Sequence, residues 1–473
     1  MASTPREDPQ DGSGTLSAGE LLRRKKIWIV PLAVSAVFIA LVAVIYIGSV
    51  VNPTGHLHGL PVMVVDEDTG ASVAGRELNV GASVARALEH TAAVSSRLEL
   101  KPATLAQAER KMNRAGAYAT LVIPATLTRS ALLIAGRETP GAAPPPETVV
   151  KLEENQRLGS LGVSLAAGVI TPAIAKISPS VGRQLSAYAT PATRRNSVLS
   201  ARVADPIALS TASYRPLPDH SAVGLSAFYI ALLSILAGFI GATLINSSID
   251  QALGYASSEL GPRWKQNRPL AINRRQTLIL KWVTVLLAAP ALAGVLLLVA
   301  VAALGMYAPH VLLLWLLCSL AALMIATGTL ALLAAFGSIG QLLAMLLLVY
   351  LSLASSGGTV PIQALPGVFK VVGHVEPLRQ VLTGTRAILY FGAKGDAGLT
   401  RSLIVIGAEL VFWALVGLGF ASWYDRRKLD RIAPELLEYI GGAIDQRRGD
   451  TGDPGDTGET QAGAEGGAQA SEP

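Results

Sequence analysis

A single cysteine, Cys318, stands among the 473 residues, and it lies in an apolar stretch. No intramolecular disulfide can form, so any exported portion is held by packing alone. A small apolar side chain is the role expected of Cys318. Charge is scarce as well: 15% of residues are Asp, Glu, Lys or Arg, against about 25% in soluble domains. A charge at the bilayer centre is costly, so the deficit is what lipid-facing helices produce. Aromatics make up 5%, and no Arg-plus-aromatic readout motif is present, so the net charge of +6 does not point to nucleic acid. No G-x-x-x-x-G-K-[ST] run occurs, hence no phosphate-cradling loop; Gly392-Ala-Lys-Gly395 reads as a plain loop. No nucleophile–base constellation is evident either. The chain reads as neither an enzyme nor a holder of a cofactor or metal.

What is present is a set of apolar runs with telling spacing. One, Ile27–Val51, stands alone near the N-terminus, and five more crowd between Val223 and Trp423. Each has about 20 residues, the length a helix needs to cross roughly 30 Å of hydrocarbon. The expected fold class is an α-helical integral membrane protein with six transmembrane helices, one plus five, and an extracellular α/β domain between the first two. Ile27–Val51 is too long for a signal-peptide core and lacks a convincing cleavage site, so it reads as an uncleaved anchor. The later spans are expected at about Ala222–Ile245, Trp282–Leu304, Val311–Phe336, Ile339–Ser355 and Leu403–Trp423.

Charges set the expected orientation. Arg23–Lys26 precede the first span, a basic loop with Arg263, Lys265, Arg268, Arg274, Arg275 and Lys281 follows the second, and Arg426–Lys428 follow the sixth. By the positive-inside rule all three are cytoplasmic, giving a multi-pass plasma-membrane protein with both termini inside. The stretch Gly357–Arg401 is the exception, external yet carrying Lys370, Arg379, Arg386 and Lys394. The expected organisation is a disordered cytoplasmic segment 1–16, a lead-in and first span 17–51, the external domain 52–221, a five-helix domain 222–424 containing an external segment 357–400, and a cytoplasmic, largely disordered tail 425–473. Ser17–Glu20 matches a capping box.

In the external domain, Leu60–Asp66 reads as a buried strand entering the polar turn Asp66–Gly70. Helices are expected over Val80–Glu89, Thr104–Arg114 and Ala125–Ile134, with strands near Ser96–Leu100, Ala117–Ile123 and Thr148–Leu152. A Pro144–Pro146 linker precedes the last of these. The pattern from Arg157 to Tyr188 is helical but broken by Pro172 and Pro179, and Ser197–Val203 reads as a final strand. Asp66 and Asp68 have Ca²⁺-loop spacing without the closing Glu, so a solvated turn is expected. His56 and His58 read as part of a polar linker rather than half a zinc site.

Three blocks carry a family resemblance. LPVMVVDEDTGASVAGRELNVGASVARAL and AERKMNRAGAYATLVIPATLTRSAL resemble the extracellular domain of the phage-infection-protein group (Pip/YhgE-like). SSGGTVPIQALPGVFKVVGHVEPLRQVLTGTRAILYFG is similar to its later elements and closer still to a related branch that includes fungal nitrosoguanidine-resistance proteins. Both branches resemble the type-2 ABC exporter permease superfamily, and the resemblance covers about Leu21 to Lys428. It implies a permease half, a homodimer, and a separate ABC ATPase as partner.

Candidate working residues follow. Gly357, Gly358, Pro361, Pro366 and Pro377 interrupt the region after the fifth span. Irregular backbone at membrane depth is tolerated only where protein or a watery cavity satisfies it. The segment resembles the superfamily's external re-entrant helices; an ordinary surface loop is the alternative. With Arg379, Arg386 and the intramembrane Glu409 it forms a candidate substrate path or gate. Glu409 is either functional or a hydrogen-bonded packing contact. Glu259, Arg263, Trp264 and Lys265 lie where superfamily permeases contact their ATPase, in a helical pattern punctuated by Gly261 and Pro262; anionic lipid is the alternative partner. The expected function is export of an amphipathic, lipid-like or toxic small molecule. The alternative is a surface scaffold or receptor, serving a secretion apparatus or phage.

Overall fold

The computed structural model describes residues 23, 25–73, 75–136, 148–260 and 263–429. The segment 1–16, the capping box at Ser17–Glu20, the Pro144–Pro146 linker and the tail beyond 429 lie outside these residues. The described residues are mostly helical, and among them are seven helices long and apolar enough to cross a membrane and one α/β sheet region.

Helix α1 (Lys26–Val50) is apolar all round, and most of its side chains, such as Leu32, Val37 and Ile39, are exposed. A helix with no polar face needs an apolar surrounding on every side. Its Phe38 ring meets Tyr350 edge-on, 6.2 Å between centroids.

The α/β region follows. Strand β1 (Leu60–Asp66) lies second from the edge of a five-stranded sheet with order β4-β1-β5-β6-β7. Before β4 come a β2–β3 hairpin (Ala71–Val73, Arg76–Leu78) and helix α2 (Val80–His90). Strand β4 (Leu98–Pro102), helix α3 (Leu105–Asn113), strand β5 (Ala119–Ile123), helix α4 (Leu127–Ile134) and strand β6 (Val149–Glu154) then alternate. β1 runs parallel to both β4 and β5 (Leu60 opposite Leu98, Val62 opposite Ala119), whereas β5 and β6 are antiparallel. Leu60 and Val62 face one core, and Met63 and Val65 face a second with Met112 of α3. Burial on both faces explains why β1 reads as an unbroken apolar run.

Two expectations in this region are corrected. Helix α5 (Ser160–Ser186) runs through Pro172 and Pro179 unbroken. Each proline removes one backbone bond, and burial of Val169, Ile170, Ile174 and Ile177 in the core shared with the sheet offsets the loss. The stretch expected as a final strand is helix α6 (Ser197–Ala204), started by Asn196, whose Oδ1 accepts from the N–H groups of Val198 and Leu199 at 3.0 and 3.1 Å. The last strand is β7 (Ala208–Ser213), parallel to β6.

The Asp66–Gly70 turn is not simply solvated. Asp68 is buried, and its carboxylate accepts from Gly81 N at 2.8 Å, from Thr128 N at 3.1 Å and from the Thr128 hydroxyl. One side chain thereby caps the starts of both α2 and α4. His56 and His58 bond through Nδ1 to carbonyls of their own loop.

The remaining long helices are α7 (Ser226–Ala252), α8 (Arg274–Ala303), α9 (Val311–Phe336) and α10 (Ser338–Ser355), with a last one described below. α9 is the hub: Leu317, Cys318, Ala321, Met324 and Ile325 are buried against the neighbouring helices. Small residues set the spacing, since a Cβ at Gly238 of α7 would lie 2.5 Å from the Ala322 carbonyl oxygen of α9. α8 begins at Arg274, two turns earlier than expected, so Lys281 is a buried helical residue whose Nζ lies 2.7 Å from both Asp250 Oδ1 and Asn246 Oδ1. Between α7 and α8, Ser258–Leu260 (β8) and Arg263–Lys265 (β9) pair as an antiparallel hairpin where a helical pattern was expected.

Candidate functional site

The segment between α10 and the final helix forms two helices, α11 (Gly367–Val372) and α12 (Pro377–Tyr390), before α13 (Leu399–Arg426). Its prolines start turns rather than break them. Pro361 precedes the turn Ile362–Ala364, Pro366 precedes α11, and Pro377 is the first residue of α12. At a helix start the missing N–H has no intrahelical partner to lose. Gly357 adopts φ +72, a left-handed conformation. Gly358 is crowded, since a Cβ there would lie 2.3 Å from the Phe228 ring of α7.

This segment belongs to two cores at once. Val360, Ala364 and Leu365 complete the hydrophobic core of the α/β region. Leu378, Val381, Ile388 and Leu389 of α12 lie in the core of the apolar helices with Phe228, Leu317 and Ile406. Polar contacts repeat the pattern: His58 N donates to the Gln363 carbonyl at 3.0 Å, and Arg157 Nη1 donates to the Tyr390 carbonyl at 2.8 Å. Ser402 of α13 donates to the Gln380 carbonyl at 2.7 Å.

At the junction lies a cavity of about 630 Å³ whose lining includes Arg114, Tyr118, Gly357, Arg379, Arg386 and Arg401. Three of the residues singled out in the sequence, Gly357, Arg379 and Arg386, therefore meet at one place. Arg386 is held by its Nη2, which donates to the Gly358 carbonyl at 3.2 Å, and its Nε is buried without a hydrogen-bond partner. Arg379 Nη1 donates to the Gly373 carbonyl at 2.9 Å. Burial pulls both guanidinium groups below the ordinary arginine range, and Tyr118 counteracts this in each case. Burial likewise pushes the Tyr118 phenol up, keeping it neutral. Tyr118 is seated on α5, where a Cβ at Gly162 would lie 2.3 Å from its ring. Gly162→Ala is expected to displace the ring at a cost of about 1–3 kcal/mol for overpacking; an unchanged unfolding midpoint would contradict that seating.

The remaining site residues lie elsewhere. Glu409, ten residues into α13, has both carboxylate oxygens buried without a hydrogen-bond partner. Glu376, absent from the sequence-based set, lies within electrostatic range of it. Glu376 directly precedes α12 and is 5% exposed, with Oε2 buried and unpartnered. Its burial drives the carboxyl up to about 8, although a hydrogen bond with Ser352 of α10 pulls the other way. The only sequence signal for it was a Glu-Pro pair, which reads as loop. Glu259 stands opposite Trp264, and Lys265 opposite Ser258, in the β8–β9 hairpin, where Arg263 pairs with Leu260.

A family model described as "Protein of unknown function (DUF3533)" matches residues 32–414, from α1 into α13. No curated protein matches the chain.

Proposed function

The chain belongs to the DUF3533 family, and for it we propose a membrane permease that exports an amphipathic, lipid-like or toxic small molecule, in keeping with the resemblance to type-2 ABC exporter permeases. Six helices span the plasma membrane: α1, α7, α8, α9, α10 and α13. The seventh of sufficient length, α5, stays outside, because its thirteen buried residues are what close the α/β core. Both termini are cytoplasmic in this reading, which Arg23 and Lys25 before α1, Lys26 at its start and the basic end of α13 support. The working unit is a homodimer, and a separate ATPase bound at the β8–β9 hairpin supplies energy.

The observation that carries this reading is the α11–α12 segment. An anchor for a surface scaffold needs no helix lodged among its spans and no chain shared with the external core. A gate needs both, since opening must be coupled to something outside. The buried carboxylate oxygens of Glu376 and Glu409 that lack hydrogen-bond partners support the same reading, because ionisable groups among spans are costly to retain without a role.

The test is accumulation of amphipathic dyes and drugs in a deletion strain. Accumulation is expected to rise, to fall again with the wild-type gene, and to stay high with Glu409→Gln at normal protein levels. Unaltered accumulation across the panel, with secretion components co-purifying instead, would favour the scaffold. Replacing residues 258–265 by a Gly-Ser linker is expected to remove a co-purifying ATPase.

A further inference from the structure

We propose that the junction cavity binds the anionic headgroup of an amphiphile, a phosphate or carboxylate, with Arg379, Arg386 and Arg401 as its counter-charges. This deepens the permease reading and rests on it only for the view that the bound molecule is cargo.

The cavity carries positive charge that lacks a partner. Four arginines line the cavity, and the one carboxylate there, Asp396, is committed to Arg114 at 2.7 Å. Among the described residues, Arg379, Arg386 and Arg401 have no carboxylate partner. A buried guanidinium without an anion is expensive, and the expense is greatest at Arg386, whose Nε has no hydrogen-bond partner at all. Position adds to it. A Cβ at Gly159, the residue before α5, would lie 3.2 Å from Arg386 Nη2. The guanidinium therefore sits against the start of a 27-residue helix, where the helix dipole is positive and favours negative charge. Arg386 thus has a positive helix start beside it, and the carboxylate that lines the cavity, Asp396, is paired with Arg114.

The shape of the cavity indicates an amphiphile rather than a bare ion. Its 630 Å³ is far more than one phosphate occupies, and Leu158, Ile362, Leu382 and Ala397 supply apolar wall. Tyr118, Gln363, Thr383 and Thr400 add neutral polar groups suited to the remaining headgroup oxygens. Arginine is the residue of choice for such headgroups, because its planar fork meets two oxygens at once. The external basic stretch that departs from the positive-inside pattern is thereby accounted for: three of its five basic residues, Arg379, Arg386 and Arg401, line this cavity.

The test uses the full-length protein in uncharged maltoside micelles, with octyl phosphate, octyltrimethylammonium and inorganic phosphate as probes and the shift in unfolding temperature as readout. Octyl phosphate is expected to stabilise saturably and the ammonium analogue not to. Inorganic phosphate should bind more weakly; equal binding would replace the amphiphile with a free-anion site and overturn the proposal. Arg379→Gln and Arg401→Gln should each weaken octyl phosphate by about tenfold, the value of one charge-assisted hydrogen bond, and Arg401→Lys should recover part of the loss. Arg386→Gln also removes the Gly358 contact and is open to misfolding, so exposed Arg401 carries the test. Undiminished binding by the Arg379→Gln/Arg401→Gln double variant, or equal binding of the cationic probe, would sink the inference. Anion-selective binding without any efflux phenotype would remove the permease reading alone, and efflux without such binding would remove this one alone.

Discussion

At pH 8.5 the Glu376→Gln variant is expected to unfold at a higher temperature than wild type, whereas at pH 4.5 the two proteins nearly coincide. Burial lifts the Glu376 carboxyl from 4.5 to about 8, so the folded protein resists losing a proton that the unfolded chain gives up readily. Below the unfolded value both states hold the proton and nothing is lost. As pH rises above 4.5 the unfolded state ionises first, and the folded state is penalised increasingly until the pH passes about 8. At about 1.4 kcal/mol per pH unit the full penalty is on the order of 5 kcal/mol. Glutamine keeps the shape and cannot ionise, so its stability should be flat across that window. Parallel pH profiles for the two proteins would show that the carboxyl is not buried as described.

Asp68→Ala carries the second large effect, a loss of about 3 kcal/mol with early proteolysis of the α/β region. Removing this carboxylate strands the N–H groups of Gly81 and Thr128, both buried, and stranded buried donors are costlier than the bonds they made. Asp66 offers the control. It is exposed, and its Oδ1 accepts only from Asp68 N, at 3.1 Å. Asp66→Asn should therefore cost far less. Equal losses from the two substitutions would mean that Asp68 acts as an ordinary turn residue.

The strands and the long helices were legible because their signals are local. β1, β5 and β6 announce themselves as short apolar runs, and the spans by length. α6 was misread although Asn196, its capping residue, was in plain view, because the apolar residues among Ser197–Val203 fit either period. α5 was read as broken because proline acts on the backbone locally, while its continuity comes from packing against a distant sheet. The site divides along the same line. Glu409 was found as a charge inside an apolar run, and Arg379 and Arg386 as basic residues in a stretch that departs from the positive-inside pattern. Glu376 was missed and Asp68 was read as solvated because their burial is tertiary: one directly precedes α12, which packs among other helices, the other lies between two helix starts 47 residues apart (Gly81 and Thr128).

The shared segment also sets an order for biogenesis. The α/β region has all its strands once Ser213 is made, yet its core still lacks Val360, Ala364 and Leu365. Those residues are synthesised only after α7, α8, α9 and α10. During that interval the region holds an open apolar seam. Its maturation, and its acquisition of protease resistance, is thus a readout of whether the helices behind it have been inserted.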